Sequence, residues 1–185
     1  MKKNLIIFTD IGDTVIDEGT EIRRIPQGIV YHADCIPEAR ETMLSLYEQG
    51  YTIVMVADGL AQSFHNTMKE NGLAHIFSGW IISEQVGAEK PDFRMFEAAM
   101  KTLGLTEEDK SRIIMVGNNL SRDILGANRF GITSVHFCWS PRYPANACMP
   151  EEEPDYRITH PSELLELADR LEIELINRKK EETDA

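Results

Sequence analysis

Asp10 closes a short apolar run, Leu5 to Phe8, and is followed by Gly12, Asp13 and Thr14. A run this short, ended by small and acidic residues, reads as a buried strand passing into a loop. Ligands bind at the carboxyl ends of the strands in an open parallel sheet, so a carboxylate there is a candidate nucleophile or metal ligand. The same residue types also make an ordinary polar turn, and the stretch alone does not decide between the two. Three other segments bear on it. Asp58 follows the run Thr52 to Val56, Gly117-Asn118-Asn119 follows Ile113 to Val116 with Asp123 five residues past Asn118, and Lys90 lies on a fourth loop. If the runs are strands of one sheet, three acids and a lysine converge on one crevice.

The elements that must bring them together can be read in order. Val15 to Ala33 is irregular and charged around Pro26 and Gly28, and suggests a flap or loose hairpin over the strand end. Pro37 opens a helix that Gly50 stops, the strand Thr52 to Val56 follows, and Gln62 to Asn71 is a helix closed by Gly72. Trp80 to Ser83 is a strand, and Phe93 to Leu103 a helix with Met95, Phe96, Ala99 and Met100 on its apolar face. After a capped turn at Thr106 to Asp109 come the strand Ile113 to Val116, a helix from Ser121 to Phe130 and a strand from Ile132 to Phe137. Trp139 to Pro154, with four of the eight prolines, reads as a surface loop. Tyr156 to Ile158 is a short edge strand, Ser162 to Asn177 a final amphipathic helix, and residues 179–185 a charged, frayed tail.

This alternation specifies an α/β three-layer sandwich, a Rossmann-like parallel sheet with helices on both faces. Residues 1–178 form one domain with a short flap at 15–33, the first strand central and those from Thr52 and Ile113 beside it. Nineteen basic against 31 acidic residues give a net charge of −12, which argues against nucleic-acid or anionic-membrane partners. No apolar run approaches the ~20 residues of a membrane span, and Met-Lys-Lys leads into a strand without a signal-peptide pattern. A cytoplasmic protein is expected, and Cys35, Cys138 and Cys148 suit a reducing compartment. His32 and Cys35 form an isolated His-x-x-Cys without a second ligand pair, which carries little weight as a zinc site.

With Asp10 to Thr14 in place, two longer stretches carry a family resemblance. They are Gly87-Ala88-Glu89-Lys90-Pro91-Asp92-Phe93-Arg94-Met95-Phe96-Glu97 and Met115-Val116-Gly117-Asn118-Asn119-Leu120-Ser121-Arg122-Asp123-Ile124-Leu125-Gly126-Ala127-Asn128. From Leu5 to about Leu167 the chain resembles the haloacid dehalogenase superfamily. The resemblance implies covalent phosphoryl transfer: Asp10 as nucleophile forming an aspartyl phosphate that water hydrolyses, and Lys90 as charge clamp. It implies Mg²⁺ held by Asp10, the Gly12 carbonyl, Asn118 and, through water, Asp123, with Ala57, Asp58 and Gly59 at the phosphoryl-binding segment. Thr14 either places its hydroxyl near the nucleophile, as a catalytic residue, or is an ordinary turn threonine.

Three positions depart from the family's pattern. Gly12 stands where a second aspartate serves as general acid and base, Ala57 where a hydroxyl binds phosphoryl oxygens, and Asn118 where a carboxylate binds the metal. A neutral amide oxygen makes a weaker Mg²⁺ site. Asp13, Asp17, Glu18, His32 and Asp58 are conceivable replacements for the missing acid, although each is an ordinary turn or loop residue otherwise. Arg122 and Arg142 are either anion-binding or solvent-facing. The leading expectation is a phosphatase acting on a small phosphorylated metabolite, as an ester or acyl phosphate. A metal-independent, dehalogenase-like hydrolase and a non-catalytic binding or regulatory protein are the alternatives. A flap this short would leave a substrate or neighbouring subunit to cover the site, so a homo-oligomer is possible.

Overall fold

The first strand, β1 (Ile6–Thr9), is the middle of the sheet because its side chains alternate between two cores. In the computed structural model, which describes residues 2–183, β1 is followed by an antiparallel hairpin of β2 (Ile22–Arg24) and β3 (Ile29–His32). Then come α1 (Ala39–Glu48), β4 (Thr52–Ala57), α2 (Ala61–Glu70), β5 (Phe77–Ile82) and the short α3 (Ser83–Val86). The chain continues through α4 (Phe93–Leu103), β6 (Ile113–Gly117), α5 (Leu125–Phe130), β7 (Thr133–Phe137), β8 (Tyr156–Ile158) and α6 (Glu163–Thr183). The main sheet has the order β5-β4-β1-β6-β7-β8, every neighbouring pair parallel, so β1 pairs with both β4 and β6 as expected.

Leu5 and Ile7 point into one core with Met43, Leu46 and Leu167, while Ile6 and Phe8 point into the other with Met95, Phe96 and Phe130. Both faces of the sheet are therefore covered, which is why its central strands read as unbroken apolar runs. The α4 helix shows how local sequence sets the ends: the Asp92 side chain accepts from the Arg94 N–H at its start, and Gly104 adopts φ 67° at its close. Its buried face is the expected Met95, Phe96, Ala99 and Met100.

Several boundaries differ from the sequence reading. The β5 strand begins at Phe77 rather than Trp80, because Phe77 pairs with Ile53 across a register shift that the periodicity does not announce. The last helix runs to Thr183, so residues 179–183 of the expected tail are helical, and 184–185 lie outside the described residues. Among the described residues no helix is long and apolar enough to cross a membrane.

The α6 helix is tied to the start of β1 by one carboxylate. Glu172, 4 % exposed, accepts from the Asn4 and Leu5 N–H groups at 2.9 and 2.7 Å and from Asn4 Nδ2 at 2.8 Å. Burial alone would raise its pKa, but these hydrogen bonds outweigh it and hold the carboxyl below its ordinary value of 4.5. Glu172→Ala should therefore cost about 2–3 kcal/mol in denaturant unfolding, the scale of bonds to a charged group plus orphaned buried N–H groups. Because the folded pKa is depressed, the carboxylate's contribution is present above the unfolded pKa and lost as pH falls through the folded one. The gap between wild type and variant should accordingly narrow on acidification, and a gap independent of pH would contradict the assignment.

Candidate active site

The ends of three strands, β1, β4 and β6, meet the loop after α3 and the β2–β3 hairpin at one cavity of about 220 Å³. Asp10 follows β1, with its backbone N–H donating to the Val116 carbonyl at 2.9 Å, and this fixes the carboxylate at the crevice. The Asp10 side chain is 13 % exposed and opens onto the cavity. Lys90 reaches it from the loop after α3: Nζ donates to Asp10 Oδ1 and to the Val56 carbonyl, both at 2.7 Å. The same ammonium lies 2.7 Å from Asp123 Oδ1 and 4.0 Å from Asp58 Oδ2. The Asp58 Oδ1 also accepts the Lys90 backbone N–H at 3.1 Å, so the lysine is held at both ends.

Asp123 sits in a π-helical turn, Leu120–Ile124, and its carboxyl group packs onto Gly117. A Cβ at residue 117 would lie 2.3 Å from Asp123 Cγ, so only glycine lets the acid approach the lysine. Its Oδ2 accepts the Asn119 N–H at 3.0 Å. Asp123 thus faces Lys90 as an ion pair through Oδ1 and is fixed to the Asn119 backbone through Oδ2. Beside it, His136 Nε2 lies 3.2 Å from the Asn118 carbonyl while Nδ1 is buried without a partner. Burial, reinforced by Arg157, lowers this histidine's pKa, so a neutral ring donating from Nε2 steadies the Asn118 loop.

Electrostatically the cluster is short of positive charge. Burial pushes Asp10 and Asp58 above the usual carboxylate range, only partly opposed by Lys90, and raises Asp123 to about 6 with Asp10 adding to the shift. Burial works against the Lys90 ammonium as well, but Asp10, Asp123 and Asp58 outweigh it and hold its pKa up. Arg122 adds charge at the rim, 3.5 Å from Asp58 and 3.8 Å from Glu89. A dianionic phosphate entering this site would need a further cation.

The donor set fits a hard one. Asp10, Gly12 and Asn118 border the same cavity, and Asn118 is 5 % exposed with its Nδ2 buried and unpartnered, an amide not committed to the protein. Among the described residues no three His, Cys, Asp or Glu side chains gather into a metal cage. That accords with Mg²⁺, which keeps several waters and is held by one or two carboxylates plus substrate phosphate.

Other residues singled out in the sequence fall elsewhere. Thr14 does not border this cavity: it lines an apolar pocket with Thr9, Val116 and Phe137, and its hydroxyl is buried without a partner. Asp58 and Gly59 border the site, but the Gly59 N–H donates to Ser83 Oγ at 2.9 Å and is not free for a phosphoryl oxygen; Ala57 is fully buried. His32 pairs with Glu70 at 2.7 Å, away from the site. Arg142 binds fully buried Asp13 through both carboxylate oxygens, at 2.7 and 2.6 Å, and also contacts Asp17. The acid and the arginine therefore occupy each other. Tyr143, which the sequence did not single out, donates to Glu18 Oε2 at 3.0 Å on the cavity wall. Burial raises the Glu18 pKa, with the Tyr143 bond opposing and the nearby Asp13 and Glu21 charges adding. A proline-rich loop offers no periodicity from which Tyr143 could have been picked out.

Comparison with known proteins identifies the family and the fold. A family model described as haloacid dehalogenase-like hydrolase matches residues 14–137, beginning just past Asp10. A glyceraldehyde 3-phosphate phosphatase of Methanopyrus kandleri is 32 % identical over 135 residues, which cover 73 % of this chain and 57 % of that protein. A phosphoserine phosphatase of Thermus thermophilus is 32 % identical over 124 residues, covering 66 % and 46 %. The chain thus spans about half the length of the curated relatives it matches. The crystal structure of a HAD phosphatase from Thermococcus onnurineus aligns with a TM-score of 0.71 at 20 % identity, covering 90 % of this chain and 97 % of that one. A magnesium-bound HAD hydrolase, YfnB of Bacillus subtilis, aligns at 0.64 and 21 %, covering 73 % and 56 %. At these identities the two structures speak for the fold.

Proposed function

This chain belongs to the haloacid dehalogenase-like hydrolase family, and from that premise we propose that it is a phosphatase that hydrolyses a small phosphorylated metabolite through a phosphorylated Asp10. The observation that carries the reading is Lys90, whose ammonium touches Asp10 and Asp123 at 2.7 Å each at the floor of a cavity open to solvent. Asp10 attacks phosphorus, and Lys90 offsets charge on the carboxylate and the transferring phosphoryl group. Phosphoryl transfer depends chiefly on such positioning and charge stabilisation, so the retained groups are the ones that matter most. Asp123 and the Val56 carbonyl fix the ammonium and spare it a reorganisation during the reaction. Asp10, the Gly12 carbonyl and Asn118 would hold Mg²⁺, which when bound supplies the charge that one lysine cannot. A cavity of about 220 Å³ supports a substrate little larger than its phosphate and a few carbons.

The test is turnover of an aryl phosphate with and without Mg²⁺. Metal-stimulated hydrolysis that EDTA removes is the expected result. Turnover indifferent to metal would favour a dehalogenase-like hydrolase, and no turnover under either condition would leave a binding protein on this fold.

A further inference from the structure

Hydrolysis of an alkyl phosphate needs a group that gives a proton to the departing oxygen and takes one from water. The acids bordering the cavity are Asp10, Glu18, Glu21, Asp58 and Asp123. Asp10 is the proposed nucleophile, and Asp123 and Asp58 are engaged by Lys90, its neighbour Asn119 and Arg122. Glu21 is paired with Arg23. Glu18 accepts from Tyr143 through Oε2 and turns its other oxygen, Oε1, toward Gly12, and it is this position that sets it apart. A Cβ built on Gly12 would lie 2.2 Å from that oxygen, so the carboxylate rests directly on the residue two places past Asp10. It is held there from both ends: Tyr143 donates to Oε2 at 3.0 Å, and the Glu18 backbone N–H donates to Asp13 Oδ1 at 3.0 Å. Asp13 is in turn clamped by Arg142, so the proline-rich loop that carries Arg142 and Tyr143 sets the carboxylate's place.

From this geometry we infer that Glu18 is the general acid and base of the proposed phosphatase reaction, occupying the space that glycine leaves at position 12. The inference rests on the phosphatase reading. In the first step the Glu18 carboxylic acid gives its proton to the ester oxygen as the P–O bond breaks and the Asp10–phosphorus bond forms, releasing the alcohol. In the second the Glu18 carboxylate takes a proton from water as its oxygen attacks phosphorus and the Asp10–phosphorus bond breaks. Inorganic phosphate leaves, and both carboxyl groups return to their starting states. Tyr143 and Arg142 are positioning residues.

The experiment compares kcat/KM, which reports the step in which the leaving group departs and not the shared hydrolysis of phosphorylated Asp10, for glycerol phosphate, whose alkoxide needs a proton, and for p-nitrophenyl phosphate, whose leaving group does not, using the whole chain with Mg²⁺. Glu18→Gln keeps the Tyr143 bond and the side chain's shape. It should lower the alkyl rate by about 10²–10⁴-fold and the aryl rate by clearly less. Tyr143→Phe, which only frees the carboxylate, should shift the same ratio in the same direction by a smaller factor. Adding Gly12→Asp to Glu18→Gln puts a carboxylate back in that space, displacing only the flexible end of residue 18, and should recover at least about tenfold of the alkyl rate. Equal losses on both substrates would mark Glu18 as structural, and no loss on either would exclude it; each result overturns the inference while leaving the phosphatase reading intact. Wild-type protein inert on both substrates would overturn the two together.

Discussion

Asp10→Asn should abolish phosphate-ester turnover, by on the order of 10³-fold or more, while leaving the fold at least as stable as wild type. The amide matches the carboxylate in shape and its oxygen can still accept from Lys90 Nζ, at 2.7 Å in wild type, so the site's architecture persists. Its nucleophilicity does not, because an amide oxygen cannot form the acyl phosphate that splits the reaction into two steps. Stability should not fall, because burial already works against the Asp10 carboxylate and outweighs the help from Lys90. A neutral isostere relieves that cost. The two readouts are kcat on an aryl phosphate and the thermal midpoint. Unchanged activity would reject Asp10 as nucleophile, and a collapse of stability would make the loss of turnover uninformative without a folded control.

Lys90→Met should have the opposite profile, costing both activity and about 3–5 kcal/mol of stability. The Lys90 side chain is 1 % exposed and lies among three carboxylates, with Arg122 contacting only the outermost, Asp58. Methionine fills the stem's volume but leaves Asp10 and Asp123 facing each other without a cation and the Val56 carbonyl without its donor. The origin of the cost can be separated from simple packing loss. Adding Asp10→Asn to Lys90→Met removes one of the uncompensated charges and should recover part of the stability, a non-additivity expected only of groups in direct contact. Denaturant midpoints of wild type, both single variants and the double variant make the cycle. Additive changes would mean that the cluster is held by packing and that its charges are independent.

Much of this site was already legible because it depends on strand ends. Alternating strands and helices, buried on both faces, make β1 the centre of a parallel sheet, and a parallel sheet gathers the ends of its strands at one edge. Asp10, Asp58, Lys90, Asn118 and Asp123 are brought together for that reason, and the helix stops at Gly104 and Gly131 follow from the same local rules, with φ 67° and 83°. Thr14 departs from this pattern: it is close to Asp10 in sequence, yet it lines the apolar pocket beside Thr9 and Val116 and its hydroxyl is buried there without a partner.

What the amino-acid order determines by itself, then, is the layered α/β architecture and the placing of Asp10 at its crevice, since both follow from short-range periodicity and from where strands end. Tertiary structure alone decides the fate of the remaining polar groups. Arg142 and Asp13 are 129 residues apart and Tyr143 and Glu18 125 apart, joined across a loop whose prolines and turns carry no period to read. Asp123 reaches Lys90 only because Gly117 lacks a Cβ, and Glu18 reaches the site only because Gly12 does. A missing side chain is visible in sequence; which distant group fills its space depends on three-dimensional packing, where close approach is fixed by volume and charge instead of by spacing along the chain.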